Sequence, residues 1–301
     1  MTRQKVIDLL AMSRFANLPT VWSNGLLGVL VGWAAYQTDV DPLSMIFIGI
    51  ALSGLYLGGC FFNDWFDLDF DQKTRPDRPI PSGRWKRGTI LNFAVVLMLL
   101  GVGLSFAVTP ASGYCAIGIV ICVLAYTKWH KVHPISFFFM AGARALIYPL
   151  AALSILPWRL FQHQIPVFIV LALGLGGYIL GISLTARAET SKTPISDARK
   201  TFPILCLCSP IVFISGPLLA SKDGFALIPL AIFLLVLSFI IRQLRSNHNV
   251  GQFVSRTLAG IPLVDFLLVF TIGITIHPIF LIICPLLALA ALGLQRIAPA
   301  T

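Results

Sequence analysis

Long apolar runs alternate with short polar connections along the whole chain. The runs lie near 17–37, 43–62, 89–108, 111–126, 135–156, 166–186, 202–220 and 225–242. A bilayer core is crossed by about 20 residues of helix, a form that pairs its backbone polar groups within the segment. These runs therefore predict membrane-spanning helices. A last apolar stretch, 257–294, is interrupted at His277-Pro278 and reads as two spans or as an in-plane helix followed by one span. The first run is too long and too late for a cleaved signal peptide, and its flanks lack a small-residue cleavage site. No linker or low-complexity segment divides the chain, so residues 1–301 read as one all-α, polytopic transmembrane domain.

The connections alternate in charge. Eighteen Lys and Arg residues fall on one side: in the N-terminal segment, in Lys73–Arg87, around Lys128 and Lys131, in 187–200, and in 242–256. The opposite connections hold Arg159 and Lys222. The positive-inside rule then places the N-terminus and every even-numbered connection in the cytoplasm. The compact loops suggest a bacterial inner membrane. Composition agrees: 57% of residues are apolar and 11% are charged, against roughly 25% charged in a soluble domain. That excludes disorder, a disulfide-stapled module and an ordinary soluble globule. The net charge of +10 does not indicate nucleic acid, because the bases lie in short clusters between apolar runs.

The acids are more informative than the bases. Eleven of the twelve are aspartates, and four of those lie within Asp64–Asp71. Residues 61–71 read Phe-Phe-Asn-Asp-Trp-Phe-Asp-Leu-Asp-Phe-Asp and close the second run on its cytoplasmic side. On a continuous helix Asn63, Asp67 and Asp71 stack on one face, with Asp64 at its edge. Like charges at that spacing repel, and a helix C-terminus disfavours anions. A solvated helix end accounts for one or two such acids, not for the set. Clustered hard oxygens suit Mg²⁺, which takes one or two carboxylates together with phosphate oxygens. The set therefore predicts a Mg²⁺–diphosphate site at the membrane surface. The following loop, 72–84, is stiffened by three prolines and carries Arg75, Arg78 and Arg84. Their guanidinium forks suit phosphate oxygens; anchoring to anionic lipid headgroups is the plainer alternative.

Asn63-Asp64-x-x-Asp67-x-x-x-Asp71, followed by Arg75-Pro-x-Arg78-Pro-Ile-Pro-Ser-Gly-Arg84, resembles the first signature of the UbiA superfamily of membrane prenyltransferases. Arg14-Phe-Ala-Asn17-Leu-Pro19 is similar to the family's opening motif, and the resemblance covers nearly the whole chain. It implies an all-helical bundle, typically of nine spans, around a central cavity. It also implies Mg²⁺-assisted transfer of a prenyl group from an isoprenoid diphosphate to an acceptor, often aromatic. Asn63, Asp64, Asp67 and Asp71 would hold the metal, and Arg14 and Asn17 would contact substrate. A Tyr and a Lys between the fourth and fifth spans would sit near the diphosphate. The Tyr is Tyr126. The Lys is Lys128 or Lys131; spacing does not choose, and Lys131 is preferred.

The chain departs from the family at the second Asp-rich motif. Residues 182–192 read Ile-Ser-Leu-Thr-Ala-Arg-Ala-Glu-Thr-Ser-Lys, so Arg187 and Glu189 stand where aspartates are usual. This is similar to a divergent branch of the family with Ala-Arg-x-Glu there. Glu189 can bind a second Mg²⁺ or pair with Arg187, and Arg187 can contact diphosphate directly; an ordinary helix-end ion pair is an equal reading. Arg144 is a base inside an apolar run and should face a cavity or an acid, with substrate or diphosphate contact favoured. Asp265, also in an apolar run, receives no role. The six cysteines are scattered and read as small buried residues, and His130 and His133 lack further ligands for zinc.

The expected chemistry has Asp67, Asp71, Lys131 and Tyr126 at the reacting diphosphate, with Arg75, Arg78, Arg144 and Arg187 as further substrate contacts. The partners are an isoprenoid diphosphate, a small acceptor and membrane lipid. A transporter or lipid-handling protein that kept the fold without the transfer is the alternative, and the altered second motif is its support.

Overall fold

A computed structural model describes residues 3–133, 135–189, 197–220, 227–247, 249–269 and 278–298. Among these residues the chain is helical, with no strand. Among the described residues six helices are long and apolar enough to cross a membrane: Phe15–Tyr36, Pro42–Phe66, Arg87–Val108, Pro110–Trp129, Trp158–Ala186 and Leu227–Leu244. Helix α1 (Arg3–Met12) precedes them, and Arg14, in the left-handed region at φ 47°, turns the chain into a short 3₁₀ segment and α2 (Leu18–Tyr36).

Local chemistry starts the next helices. Asp41 caps α3 (Pro42–Phe66), its carboxylate accepting from the Leu43 and Ser44 amides at 3.3 and 2.9 Å. Residues Leu68–Thr74 form α4 and Arg87–Val108 form α5. Thr109 caps α6 (Pro110–Trp129) by accepting from the Ser112 amide. In α3 and α6 proline takes the first helical position, where no amide hydrogen is needed.

Among the remaining apolar runs, those at 135–156, 202–220 and 257–294 are divided into shorter helices. The run 135–156 divides into α7 (Ser136–Ala145) and α8 (Ile147–Ala152), and α9 (Trp158–Phe161) leads into α10 (Ile165–Glu189). The run at 202–220 begins earlier and divides into α11 (Asp197–Leu207) and α12 (Ser209–Ala220), with Pro203 inside the first. Helix α13 (Leu227–Asn247) is continuous. Then α14 (Val250–Ala259) and α15 (Ile261–Leu268) meet at Gly260, and α16 (Pro278–Leu294) follows. Gln295, just past the end of α16, donates to the Ser255 carbonyl of α14 at 2.7 Å, which ties the end of α16 to α14.

Small residues set how closely the helices approach. A Cβ at Gly54 or Gly58 of α3 would lie 2.8–2.9 Å from the Leu97 or Ala94 carbonyl of α5, and one at Gly101 would lie 2.8 Å from the Ala51 carbonyl. In a membrane, where lipid is as apolar as leucine, such close backbone packing drives association. At Gly28 of α2 a Cβ would collide with the Tyr148 carbonyl of α8. Outward faces carry exposed Val96, Leu99, Ile121 and Leu235, side chains suited to lipid.

This contact generates a test. Gly28→Ala should lower thermal stability in detergent by about 1–3 kcal/mol, as overpacking does. Gly103→Ala, with nothing within 4 Å of the added carbon, should leave it unchanged or slightly raise it. Equal behaviour of the two variants would contradict the α2–α8 contact.

Candidate active site

The acidic segment is not the continuous helix that its spacing predicts. Helix α3 ends at Phe66, Asp67 adopts φ −79° and ψ 2°, and α4 starts at Leu68. The reason is electrostatic. Three carboxylates at the end of one long helix would face its negative pole, whereas the break puts Asp69 and Asp71 in the first turn of a new helix, at a positive pole. The amides of Asp67 and Asp71 still bond four residues back, to Asn63 and Asp67 at 2.9 Å each. The stacked side chains are thus retained. Asp64, Asp67 and Asp71 are buried, at 8%, 8% and 4% exposure, while Asp69 is exposed.

Buried carboxylates require compensation, and it comes from three distant segments. Arg14 reaches Asp64 at 3.2 Å and donates to the Asn63 amide oxygen at 3.3 Å. Arg78 pairs with Asp71 at 2.8 Å and lies 3.7 Å from Asp64. Lys131 stands 2.6 Å from Asp67, with the His130 imidazole 3.5 Å from its other oxygen. The Lys131 ammonium also lies 4.0 Å from the centre of the Phe70 ring. Tyr126 stacks on His130, ring centres 5.0 Å apart, and His130 Nδ1 contacts the Thr127 carbonyl at 3.0 Å. Lys128 instead lies over Trp129. The structure thus gathers Asn63, Asp64, Asp67, Asp71, Arg14, Arg78, Tyr126 and Lys131 into one site. His130 joins them unforeseen; its position next to Lys131 was the available signal.

Burial alone would raise the Asp67 carboxyl, but the imidazole and ammonium outweigh it and hold the group below its ordinary value of 3.8. The oxygen donors are of the type a hard divalent cation takes, although among the described residues no three acidic, histidine or cysteine side chains are gathered round one point. Asp64 and Asp71 already converge on one positive group, Arg78, beside the amide oxygen of Asn63.

The other expected residues fall elsewhere. Arg75 is exposed. Arg84 turns away to pair with Asp8 at 3.0 Å, which ties the loop to α1. Asn17 donates to the Tyr56 hydroxyl at 3.1 Å. Arg187 and Glu189 belong to the end of α10, and their side chains lie outside the described residues.

Arg144 is buried at 8% exposure and sits deeper. It donates to the Asn24 amide oxygen at 3.2 Å and stacks over Tyr56, 5.3 Å from the ring centre. Tyr56 and Asp64 are eight residues apart on α3, or about 12 Å along the helix. Behind Asn24 lies Asp265, fully buried. Its carboxylate accepts from Ser23 and Tyr148 at 2.6 Å each, and from Asn24 at 2.8 and 2.9 Å. Sequence reading passed over this cluster because its members lie on α2, α8 and α15, and no motif links them.

Comparison with known proteins places the architecture. The apo structure of a UbiA homologue from Aeropyrum pernix K1 matches with a TM-score of 0.63 at 12% identity, over 88% of this chain and 97% of that one. A structure presented as insight into digeranylgeranylglyceryl phosphate synthase in membranes matches with a TM-score of 0.59 at 19% identity, over 90% and 98%. At these identities the likeness is one of fold. The sequence matches the UbiA prenyltransferase family over residues 18–261, and the chain belongs to that family. Digeranylgeranylglyceryl phosphate synthase of Methanosarcina barkeri (strain Fusaro / DSM 804) is 31% identical over 135 residues, 42% of this chain and 47% of that protein. Protoheme IX farnesyltransferase of Macrococcus caseolyticus (strain JCSC5402) is 25% identical over 155 residues, 48% and 50% of the two. The chain spans about half the length of these curated relatives.

The Asp67 pairs generate a pH test. The depressed carboxyl contributes stability that is complete above its ordinary value and is lost as pH falls through the lower folded value. Lys131→Met leaves burial less opposed, so the acid loss of thermal stability should begin at higher pH than in the wild type. Superimposable acid limbs would show that Lys131 does not hold Asp67.

Proposed function

We propose that this chain is an integral-membrane prenyltransferase that moves a prenyl group from an isoprenoid diphosphate to a small, aromatic acceptor with Mg²⁺ assistance. The observation that carries the reading is the convergence of Asp64, Asp67 and Asp71 with Arg14, Arg78 and Lys131 at one end of α3. Family membership supports it, as do relatives named for transfer to a glyceryl phosphate and to protoheme. In this reading residues 1–301 form one unit of about nine spans. The site lies on the cytoplasmic side, where the bases concentrate. Because the relatives are both archaeal and bacterial, the reading commits to a cell membrane without naming its kingdom.

Asn63, Asp64, Asp67 and Asp71 would hold Mg²⁺, which when bound neutralises the diphosphate and polarises the oxygen it shares with the prenyl carbon. The chain's own residues do the rest. Arg78 and Lys131 are within one side-chain length of the carboxylates and turn their N–H groups to the incoming phosphate oxygens. Arg75 adds an exposed guanidinium at the mouth. Tyr126 and Phe70 confine His130 and Lys131 beside Asp67, so these donors turn only a short way to meet the leaving group. The carbon–oxygen bond breaks with its electron pair leaving on the diphosphate. The acceptor's nucleophilic atom bonds to the freed carbon and releases its proton. Apolar helix faces around the prenyl chain exclude water, which would otherwise capture the cation.

Diphosphate release from the purified protein given geranyl, farnesyl or geranylgeranyl diphosphate, with cell-extract acceptors, tests this. Release should require Mg²⁺ and should yield a product heavier than its acceptor by one prenyl group. Asp67→Ala should fall by about 10²–10³-fold or more, the size expected for losing one such electrostatic group, while keeping the helical content of the wild type. Undiminished turnover in Asp67→Ala would overturn the assignment.

A further inference from the structure

Helix α1 is tied to the loop that carries Arg78, and charge makes the tie. Asp8 lies on α1 at 3% exposure. A carboxylate so buried requires hydrogen-bond partners. Its own helix supplies one, the Gln4 side-chain amide at 3.1 Å. The loop supplies the rest. Arg84 Nε donates to one carboxylate oxygen at 3.0 Å, and Arg84 Nη2 approaches the other at 3.4 Å. The same Nη2 donates to the carbonyl of Asp77, the residue before Arg78, at 2.9 Å. Two further contacts run beside this pair. The Lys5 ammonium lies 5.7 Å from the centre of the Trp85 ring, and the buried Ile80 shares an apolar cluster with Met12 of α1, Phe61 and Ile90.

The loop can transmit this hold because it is folded on itself. The Ser82 amide donates to the Arg78 carbonyl at 3.0 Å, the Gly83 amide to that of Ile80 at 3.0 Å, and the Trp85 amide to that of Pro79 at 3.1 Å. Gly83 supplies the turn with φ 77°, where a side chain is strained, and Pro79 and Pro81 fix their own φ. Arg78 and Arg84 are thus the two ends of one stiff turn. Arg78 meets Asp71 at 2.8 Å at one end, and Arg84 meets Asp8 at the other. The Arg84 side chain is itself 38% exposed, so water would serve it nearly as well. The buried carboxylate of Asp8 is what holds it in place.

We propose that Asp8 is a positioning residue for the diphosphate site: by holding Arg84 it fixes the turn at 78–85, and the turn presents Arg78 to the phosphate oxygens. This rests on the prenyltransferase reading above and adds to it a residue outside the acidic signature and the arginines that follow it. A guanidinium already held in place loses less freedom when it binds phosphate. Once bound, Arg78 makes the same contacts with or without Asp8. The hold therefore acts on binding of the donor and not on the step that follows.

The test uses the full chain in detergent with Mg²⁺, cell-extract acceptors, and whichever of geranyl, farnesyl or geranylgeranyl diphosphate the wild type turns over. Asp8→Asn, which keeps the shape and removes the charge, should raise KM for the donor about 3–10-fold and leave kcat within about twofold. Without substrate, the Ser82, Gly83 and Trp85 amides should exchange their hydrogens faster by a similar factor, while those of α10 keep their wild-type rates and show that the bundle is folded. Arg84→Met should behave alike, and the double variant should be no worse than either single one, because both remove one tie. In an Arg78→Met background, Asp8→Asn should leave KM where Arg78→Met puts it, since the group it positions is gone. A further rise of KM in that background, or unchanged exchange in Asp8→Asn, would overturn the proposal. So would an Arg84→Met defect far beyond that of Asp8→Asn, which would put Arg84 on the phosphate itself. A wild type that releases no diphosphate from any of the three donors would overturn the prenyltransferase reading instead, while the exchange rates would still decide whether Asp8 holds the turn.

Discussion

The structure depends on neutralising three buried carboxylates at the membrane boundary. Asp64, Asp67 and Asp71 sit within about two helical turns, and none has water enough to support its charge. Their counter-charges are drawn from the segment before α2, the loop after α4 and the connection after α6. Compensation is therefore also architecture: the acids pull three connections onto one end of α3. Removing one partner of a buried pair leaves the other uncompensated, at a cost of about 3–5 kcal/mol. In the proposed reaction the cations that make the acids tolerable would also meet the diphosphate.

Deeper in the bundle the same problem has a different solution. Arg144 and Asp265 are opposite charges that do not touch, because Asn24 stands between them. The carboxylate is satisfied by four hydrogen bonds from neutral side chains, while the guanidinium keeps donors to spare. One site gathers negative charge near the surface and the other keeps positive charge inside. Between them lies Tyr56, which contacts Arg144 through its ring and accepts from Asn17 through its hydroxyl.

The class of this protein was legible in its sequence because membrane physics leaves a one-dimensional trace. A run of apolar residues long enough to cross lipid reads as a helix, and the bias of bases between connections reads as an expected orientation. Six of the runs are continuous helices of the necessary length. The acidic signature was also local enough to read, since Asn63, Asp67 and Asp71 repeat at the helical spacing and the arginines follow at once. What spacing alone misjudged was continuity. The helix breaks at Asp67, because like charges at a negative pole are relieved by starting a new helix. Breaks within 135–156 and 197–220 escaped for a related reason, since hydropathy reports burial in lipid and not the path of the backbone.

The sequence by itself determined which segments enter the membrane, which face carries the bases, and which short stretch bears the acids. Each is a property of neighbouring residues. The tertiary structure alone decided the partners. That Lys131 and not Lys128 meets Asp67, that Arg84 leaves the site for Asp8, and that Ser23, Asn24, Tyr148 and Asp265 enclose one carboxylate depend on contacts between residues up to 242 positions apart. Such contacts follow from how closely the helices pack, which glycines such as Gly28, Gly54 and Gly58 set by what they lack. A pattern along one helix carries no record of the helix it faces.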